Sequence, residues 1–237
     1  MYARGALGGG SGLPVEVEAL CFRDGVLSRC RDKVAVEESY ELWLNGSRVA
    51  TFTCTPDGLE ELVYGYLAER GYKPRSLKVS VDQGRLVAEA ELERISFTRK
   101  SVRFRAEHIL KALEALAALG TGFRETGALH GALYFNERGE VLSHVEDISR
   151  HCAVDKLIGH LVKSGGDPGS VGFALSCRLT SSIVEKLSSV GAPLVASKAA
   201  PTIQGIRLAE KAGMTLLGFV RGGRFNVYTH PERVVFL

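Results

Sequence analysis

Ser170–Val220 reads SVGFALSCRLTSSIVEKLSSVGAPLVASKAAPTIQGIRLAEKAGMTLLGFV. Three short apolar runs, SVGFALS, PLVAS and MTLLGFV, alternate with two stretches of helical character, TSSIVEKLSSVG and IQGIRLAEKAG. Such alternation implies right-handed crossovers and a sheet with helices on both sides. Ligands in sheets of this kind bind beyond the carboxyl ends of the strands, where helices begin. Polar residues at those junctions therefore carry more weight than polar residues elsewhere.

The pattern extends in both directions. Upstream, ALHGALYF and VLSHVED flank the turn NERGE, and the helix that follows places Val154, Leu157, Ile158 and Leu161 on one face. Downstream, GFVRGGRFNVYTHPERV sets Arg221 and Arg224 around a Gly222-Gly223 turn, with Arg233 further on. The first part of the chain is built differently. LPVEVEALCF and ESYELWLNGSRVATFTC are strand-like, with Asn45-Gly46 as a tight turn, and LKVSVDQGRLVAEAEL is a second hairpin turning at Asp82-Gln83-Gly84. Between them TPDGLEELVYGYLAERG is a helix by its stripe Leu59, Leu62, Val63, Tyr66 and Leu67. RAEHILKALEALAALG, with Ile109, Leu113 and Leu116 in phase, is a helix expected to join the halves. The expected organisation is a β-rich module over residues 1–95, a linker segment and helix over 96–120, and an α/β domain over 121–237.

With 237 residues, 45% hydrophobic and 24% charged, the chain is an ordinary globular one. A formal charge of +3 is too mild to argue for nucleic acid or membrane binding, so any basic site must be local. No apolar run reaches the length of a membrane span, and the glycine-rich start ARGALGGGSG lacks the apolar core of a signal peptide, so a cytoplasmic protein is expected. Cys21, Cys30, Cys54, Cys152 and Cys177 form no C-x-x-C pair and no zinc-ribbon spacing, and in a reducing compartment they read as free thiols.

Four junctions and the arginine turn hold unusual chemistry. EDISRHCAVDK brings Glu146, Asp147, Arg150, His151, Cys152, Asp155 and Lys156 to a strand-to-helix passage. SCRLTSS does the same with Ser176, Cys177 and Arg178, where hydroxyls can cap a helix whose N–H groups favour an anion. TGALHG sets His130 in an apolar strand, and ASKAAPT sets Ser197 and Lys198 at another strand end. Each has a purely structural explanation when taken singly: His130 as a satisfied core histidine, Asp155 and Lys156 as helix surface, Thr180 and Ser181 as caps. The arginine turn can likewise be a solubilising hairpin tip, although the guanidinium fork suits phosphate and its face stacks on a base. Recurrence at strand ends makes one shared site the better reading.

DKVAVEESYELWLNG, TPDGLEELVYGYLAERG, TGALHGALYF, EDISRHCAVDKLIG, SCRLTSSIVEKLSSVGAPLVASKAAPT and MTLLGFVRGGRFNVYTHPERV together resemble the successive motifs of the formate dehydrogenase accessory sulfurtransferases, the FdhD family. The resemblance runs from about Asp32 to Leu237, apart from the stretch near 95 to 120. It implies a cytidine deaminase-like three-layer domain with a mixed sheet, plus a smaller β-rich N-terminal module, in a homodimer. It also implies binding of the molybdenum or tungsten bis(pterin guanine dinucleotide) cofactor, with GDP as a fragment ligand. Sulfur would come from a cysteine desulfurase as a persulfide and pass to the metal before the cofactor enters formate dehydrogenase. Carried onto this chain, the cofactor-binding stretch is Phe219, Val220, Arg221, Gly222, Gly223 and Arg224, with Asn226, His130, Arg150, His151, Lys156, Arg178 and Ser197 as further contacts.

One departure bears on the chemistry. The family's sulfur-carrying cysteines lie in a CGxCG-like loop before the linker helix, and the corresponding LERISFTRKSVRFRAEH has none; Ser96, Thr98 and Ser101 cannot form a persulfide. Cys152 and Cys177 stand where the family more often has Asn and Gly, at expected helix starts whose dipole, with Arg150, His151 and Arg178, favours a thiolate. Two readings follow: a sulfurtransferase that has relocated its carrier to Cys177 or Cys152, or a protein that binds and delivers the cofactor without moving sulfur. A zinc deaminase is disfavoured because Cys177 has no partner in a P-C-x-x-C arrangement, and no G-x-S-x-G elbow supports a serine hydrolase.

Overall fold

The computed structural model describes residues 14–236; the glycine-rich start at 3–12 lies outside the described residues. The first two strands, β1 (Val15–Arg23) and β2 (Val26–Val34), form a two-stranded antiparallel hairpin that belongs to neither larger sheet. Next come β3 (Glu38–Leu44), β4 (Ser47–Cys54), α1 (Leu59–Ala68), β5 (Tyr72–Asp82) and β6 (Arg85–Arg94). These strands make a four-stranded sheet in the order β4-β3-β6-β5, with β3 parallel to β6 and the other pairs antiparallel. Asn45 and Gly46 both have positive φ, 47° and 80°, the requirement of the two-residue turn that the sequence announced. The inner face packs on Leu62, Val63, Tyr66 and Leu67 of α1.

The larger unit continues with β7 (Phe104–Arg105), α2 (Ala106–Leu119), α3 (Thr121–Thr126), β8 (His130–Phe135), β9 (Val141–Asp147), α4 (Arg150–Lys163), β10 (Gly172–Leu175), α5 (Ser181–Ser189), β11 (Leu194–Ser197), α6 (Ile203–Ala212), β12 (Thr215–Arg221), β13 (Arg224–Thr229) and β14 (Val234–Val235). Its six-stranded sheet has the order β13-β12-β11-β10-β8-β9. β10, β11 and β12 are parallel, while β8, β9 and β13 run antiparallel to their neighbours, so the sheet is mixed. Ile109, Leu113 and Leu116 of α2 cover one face. Leu157 and Ile158 of α4 with Ile183 and Leu187 of α5 cover the other, joined by Ala209 of α6. The helix expected to bridge the halves is thus a layer of the α/β unit, because its apolar stripe matches the face of β8, β10, β11 and β12.

Two further differences from expectation have plain causes. VLSRCRDKV, to which the sequence pattern assigns no element, forms β2 by pairing Lys33 with Glu16 and Arg31 with Glu18 of β1. Cys21 and Cys30 are bonded as a disulfide across this hairpin, with Cα atoms 5.9 Å apart, which corrects the reading of all five cysteines as free thiols. The hairpin places the two side chains on one face at neighbouring register positions, a proximity that sequence spacing did not reveal.

The segment between β6 and β7 runs along the amino ends of the parallel strands. Lys100 N–H donates to the Gly169 carbonyl at 3.1 Å, and Arg99 Nε donates to the Ala192 carbonyl at 2.9 Å, with its guanidinium also reaching the Ala212 carbonyl. Gly169, Ala192 and Ala212 precede β10, β11 and β12 respectively.

The two units meet where α1 crosses α4. A Cβ on Gly65 would collide with the Asp155 carbonyl, and one on Gly159 with the Glu61 carbonyl, so the backbones approach to a separation only glycine permits. Gly65→Ala and Gly159→Ala should each lower stability by about 2–3 kcal/mol in urea titration, and the double variant by less than the sum, because both changes force apart the same crossing. Losses within 0.5 kcal/mol of zero in both variants would mean that the crossing does not hold the units together.

Candidate functional site

The carboxyl ends of β10 and β11 and the end of β12 lie beneath the C-terminal half of α2. A cavity of about 670 Å³ opens there, lined by Leu116, Phe123, Leu129, His130, Ser176 and Lys198 among others. A smaller one of about 170 Å³ adjoins it between Leu110, Leu113 and Glu114 of α2 and the turn Arg221, Gly222, Gly223. Lys198 and Ala117 line both, so the two form one groove with Lys198 at its waist.

Local structure explains how each side chain arrives. His130 is the first residue of β8, opposite Asp147 of β9, and half-buried. Burial first, then the Arg150 charge, holds its imidazole below the ordinary histidine range. Ser176 follows β10 and its Oγ accepts from the Gly131 N–H at 2.9 Å, leaving the hydroxyl proton free to donate. Lys198 follows β11; burial lowers its ammonium, and no acidic side chain among the described residues lies within ion-pair distance of it. Phe219 has φ 56°, a conformation a bulky side chain seldom takes, and its N–H donates to the Ala199 carbonyl at 3.1 Å. The bulge between Gly218 and Arg221 turns the strand end so that Arg221, Gly222, Gly223 and Arg224 project as an exposed tip. Gly222 and Gly223 have φ 58° and 73°, with open space where side chains would stand.

Around the groove, Arg150 opens α4 with a buried Nε that has no partner. His151 beside it is pulled below the ordinary range by burial and then by Arg150 and Lys186. Arg178 is exposed, and Asn226 is exposed with its amide donating to the Tyr228 hydroxyl at 3.3 Å. Val220 is buried against α2 and has no polar group to offer.

Several expected members have other work. Lys156 is buried and its Nζ meets Asp147 Oδ2 at 2.6 Å, Asp57 Oδ1 at 3.0 Å, Thr55 Oγ1 at 2.8 Å and the Thr55 carbonyl at 3.1 Å. Burial pulls Lys156 down, but the two carboxylates outweigh it and hold the ammonium above its ordinary value. Burial pushes Asp147 up, and with four acceptors around Nζ we read the pair as charged. An ammonium with three protons and four acceptors has none for a ligand, so Lys156 is a bolt between the units. Asp155 plays the same part toward Lys186, whose Nζ also holds Glu69 at 2.6 Å. Ser197 is fully buried; its hydroxyl donates to the Cys177 carbonyl at 2.6 Å and accepts from the Ala199 N–H at 3.0 Å. Glu146 lines the larger cavity, but its carboxylate accepts from Gly122 N–H at 2.8 Å and Phe123 N–H at 2.9 Å, tying β9 to the start of α3.

The thiols also differ from expectation. Cys177 follows Ser176 but is buried, and that burial pushes its thiol up to about 11 despite Arg150 and Arg178. Cys152 faces away from the groove into the core of the N-terminal unit. Its thiol is lowered, but by a hydrogen bond with Cys54 and not by the basic residues at the helix start. Both side chains lie deeper than their positions at helix starts suggest.

A third cavity, about 480 Å³, lies beside Lys156 and is walled by Asp57, Glu61, Glu125 and Glu146. Glu146 is shared with the α2 groove, which also holds Glu114, but the Lys156 ammonium in the third cavity is fully engaged, whereas the groove offers Lys198 and Arg221 with no ion-pair partner among the described residues. The groove is the better anion site. No helix among the described residues is long and apolar enough to cross a membrane.

Comparison with known proteins finds the same fold in a solved structure and relatives along most of the chain. The chain is 33% identical to the sulfur carrier protein FdhD of Sulfolobus acidocaldarius, covering 90% of this chain and 95% of that one. It is 32% identical to that of Methanothermobacter thermautotrophicus, covering 93% and 98%. A crystal structure from Desulfotalea psychrophila, described as a formate dehydrogenase accessory protein, superposes with a TM-score of 0.83 at 27% identity, covering 94% of this chain and all of that one. Residues 74–235 match the FdhD/NarQ family profile, and the chain belongs to the FdhD/NarQ family.

Proposed function

We propose that this protein assists formate dehydrogenase maturation by binding a molybdenum or tungsten bis(pterin guanine dinucleotide) cofactor in the α2 groove and carrying sulfur to it. The observation that carries this reading is the groove itself: a basic channel at the strand carboxyl ends, with Lys198 at its waist and the Arg221–Arg224 turn at its mouth. The residues fit such a group. Arg221 and Arg224 hold phosphate or stack on guanine, the Gly222-Gly223 backbone leaves room for close approach, and Lys198 meets the diphosphate. His130 and Ser176 supply hydrogen bonds above the apolar wall of Leu116 and Phe123. Arg150, whose buried Nε is unpartnered, lies near enough to His130 and Cys177 to influence both. When bound, the cofactor supplies the metal that receives sulfur.

The names of the curated relatives favour a sulfur carrier over a protein that only delivers. Sulfur is drawn from a cysteine desulfurase as a persulfide, and Cys177, adjoining Ser176 of the groove, is the thiol we assign to it. Loading depends on opening of the Ser176–Arg178 junction, since burial keeps Cys177 protonated in the closed form. Cys152 faces the core of the other unit, away from the groove. A cytoplasmic homodimer completes the reading. The exposed apolar residues of the isolated β1–β2 hairpin, Leu20, Phe22, Val26 and Leu27, support a self-association surface. The three layers and mixed strand order support a cytidine deaminase-like class for the larger unit.

Three outcomes test this account. Lys198→Ala and Arg221→Ala should each weaken GDP binding about 10-fold or more by titration calorimetry with the melting temperature unchanged; unaltered affinity in both returns the groove to a surface feature. Burial and Arg150 hold His130 below the ordinary histidine range, so any GDP affinity that its protonation adds should appear only as pH falls beneath that range, and His130→Asn should remove it. Mass spectrometry after incubation with a cysteine desulfurase and cysteine should find one added sulfur, absent in Cys177→Ser. Sulfur on no cysteine, while a loop-cysteine relative is loaded, argues for delivery alone.

A further inference from the structure

We propose that Cys54 and Cys152 form an intrachain disulfide that fastens the N-terminal unit to α4, a modification site separate from the groove. Cys54 is the last residue of β4 and Cys152 lies in the first turn of α4, and both belong to the same buried apolar cluster. Cys152 Sγ lies 3.8 Å from the carbonyl of Thr53, the residue before Cys54. The two thiols are near enough for each to shift the other's titration, Cys54 upward and Cys152 downward. One turn further along α4, Lys156 holds both the carbonyl and the hydroxyl of Thr55, the residue after Cys54. The strand end and the helix turn are thus pinned to one another on either side of the thiol pair.

The chemistry is thiol–disulfide exchange with a small-molecule disulfide such as oxidised glutathione. Both thiols are buried, so exchange takes place when the start of α4 opens from β4, as loading of Cys177 requires opening of its own junction; Cys152, held below the ordinary thiol range, supplies the attacking thiolate. It forms a mixed disulfide and releases one thiol; Cys54 then loses its proton and attacks the Cys152 sulfur, releasing the second. Two cysteine thiols are oxidised and one external disulfide is reduced to two thiols. The chain already carries one such bond, Cys21–Cys30. Neither cysteine lines the groove, so the cross-link leaves the proposed binding residues and Cys177 untouched. It closes a loop of about 100 residues, the length at which chain-entropy stabilisation is large.

The full chain, exposed to oxidised glutathione, unfolded, alkylated and mapped without reduction, should yield the Cys54 peptide joined to the Cys152 peptide. In a Cys21→Ser/Cys30→Ser background, reduction should then lower the melting temperature by about 5–15 °C. Full alkylation of both Cys54 and Cys152 after oxidation, or a bond from either to Cys177 or to glutathione alone, overturns the proposal. A cross-link that leaves the melting temperature unchanged overturns its fastening role. Should Cys54→Ser or Cys152→Ser fail to fold, the peptide map of the unaltered chain still decides, and failure of GDP or sulfur binding has no bearing on it.

Discussion

The crossing of α1 over α4 is the constraint on which the remaining structure depends. Gly65 and Gly159 let the two helix backbones touch, and only at that separation do the flanking ion groups reach each other. Lys156 then spans to Asp57 and Thr55 of the N-terminal unit, and Lys186 of α5 draws in both Asp155 of α4 and Glu69 beyond α1. Buried ion pairs of this kind contribute little net stability against an apolar alternative, but they penalise any other register heavily, since a misplaced partner leaves a charge unpaired in the core. The contact sets the orientation of α4, and α4 sets the position of Arg150 and of β9 with Asp147.

From that orientation the groove follows. Parallel strands deliver Ser176, Ser197 and Lys198 to one edge of the sheet, and the antiparallel β8 brings His130 to the same edge by starting where its neighbours end. α2 lies across the opposite face from α4 and roofs the strand ends, so one helix supplies both cavity walls. The segment at 95–103, where the sequence lacks the cysteines expected from the resemblance, is held at the other edge of the sheet by Arg99 and Lys100. The groove and that segment are thereby separated by the length of the strands, whereas Cys177 adjoins Ser176 of the groove.

Much of this was legible in the sequence. The Asn45-Gly46 turn, the stripes of α1 and α2, and the strand and helix alternation after Ser170 are local signals, and each appears where it was expected. The arginine turn was legible for the same reason: its glycines require positive φ. What escaped depends on tertiary depth. Lys156 and Asp155 look like helix surface until α1 is laid on them, and Ser197 looks like a ligand until its hydroxyl is seen to be engaged on both sides. Gly65 offered a signal, an isolated glycine inside a helical stripe, which marks close approach more often than a break. Lys198 was visible as a strand-end lysine, but only the meeting of two cavities on it gives it priority.

The measurement that tests the central claim most directly is a crystal structure of the protein soaked with GDP. The account predicts the guanine or its phosphates against the Arg221–Arg224 turn, with the diphosphate at Lys198 beneath α2. Nucleotide in the carboxylate-walled cavity beside Lys156, or none bound at a concentration that saturates a family relative, would contradict it.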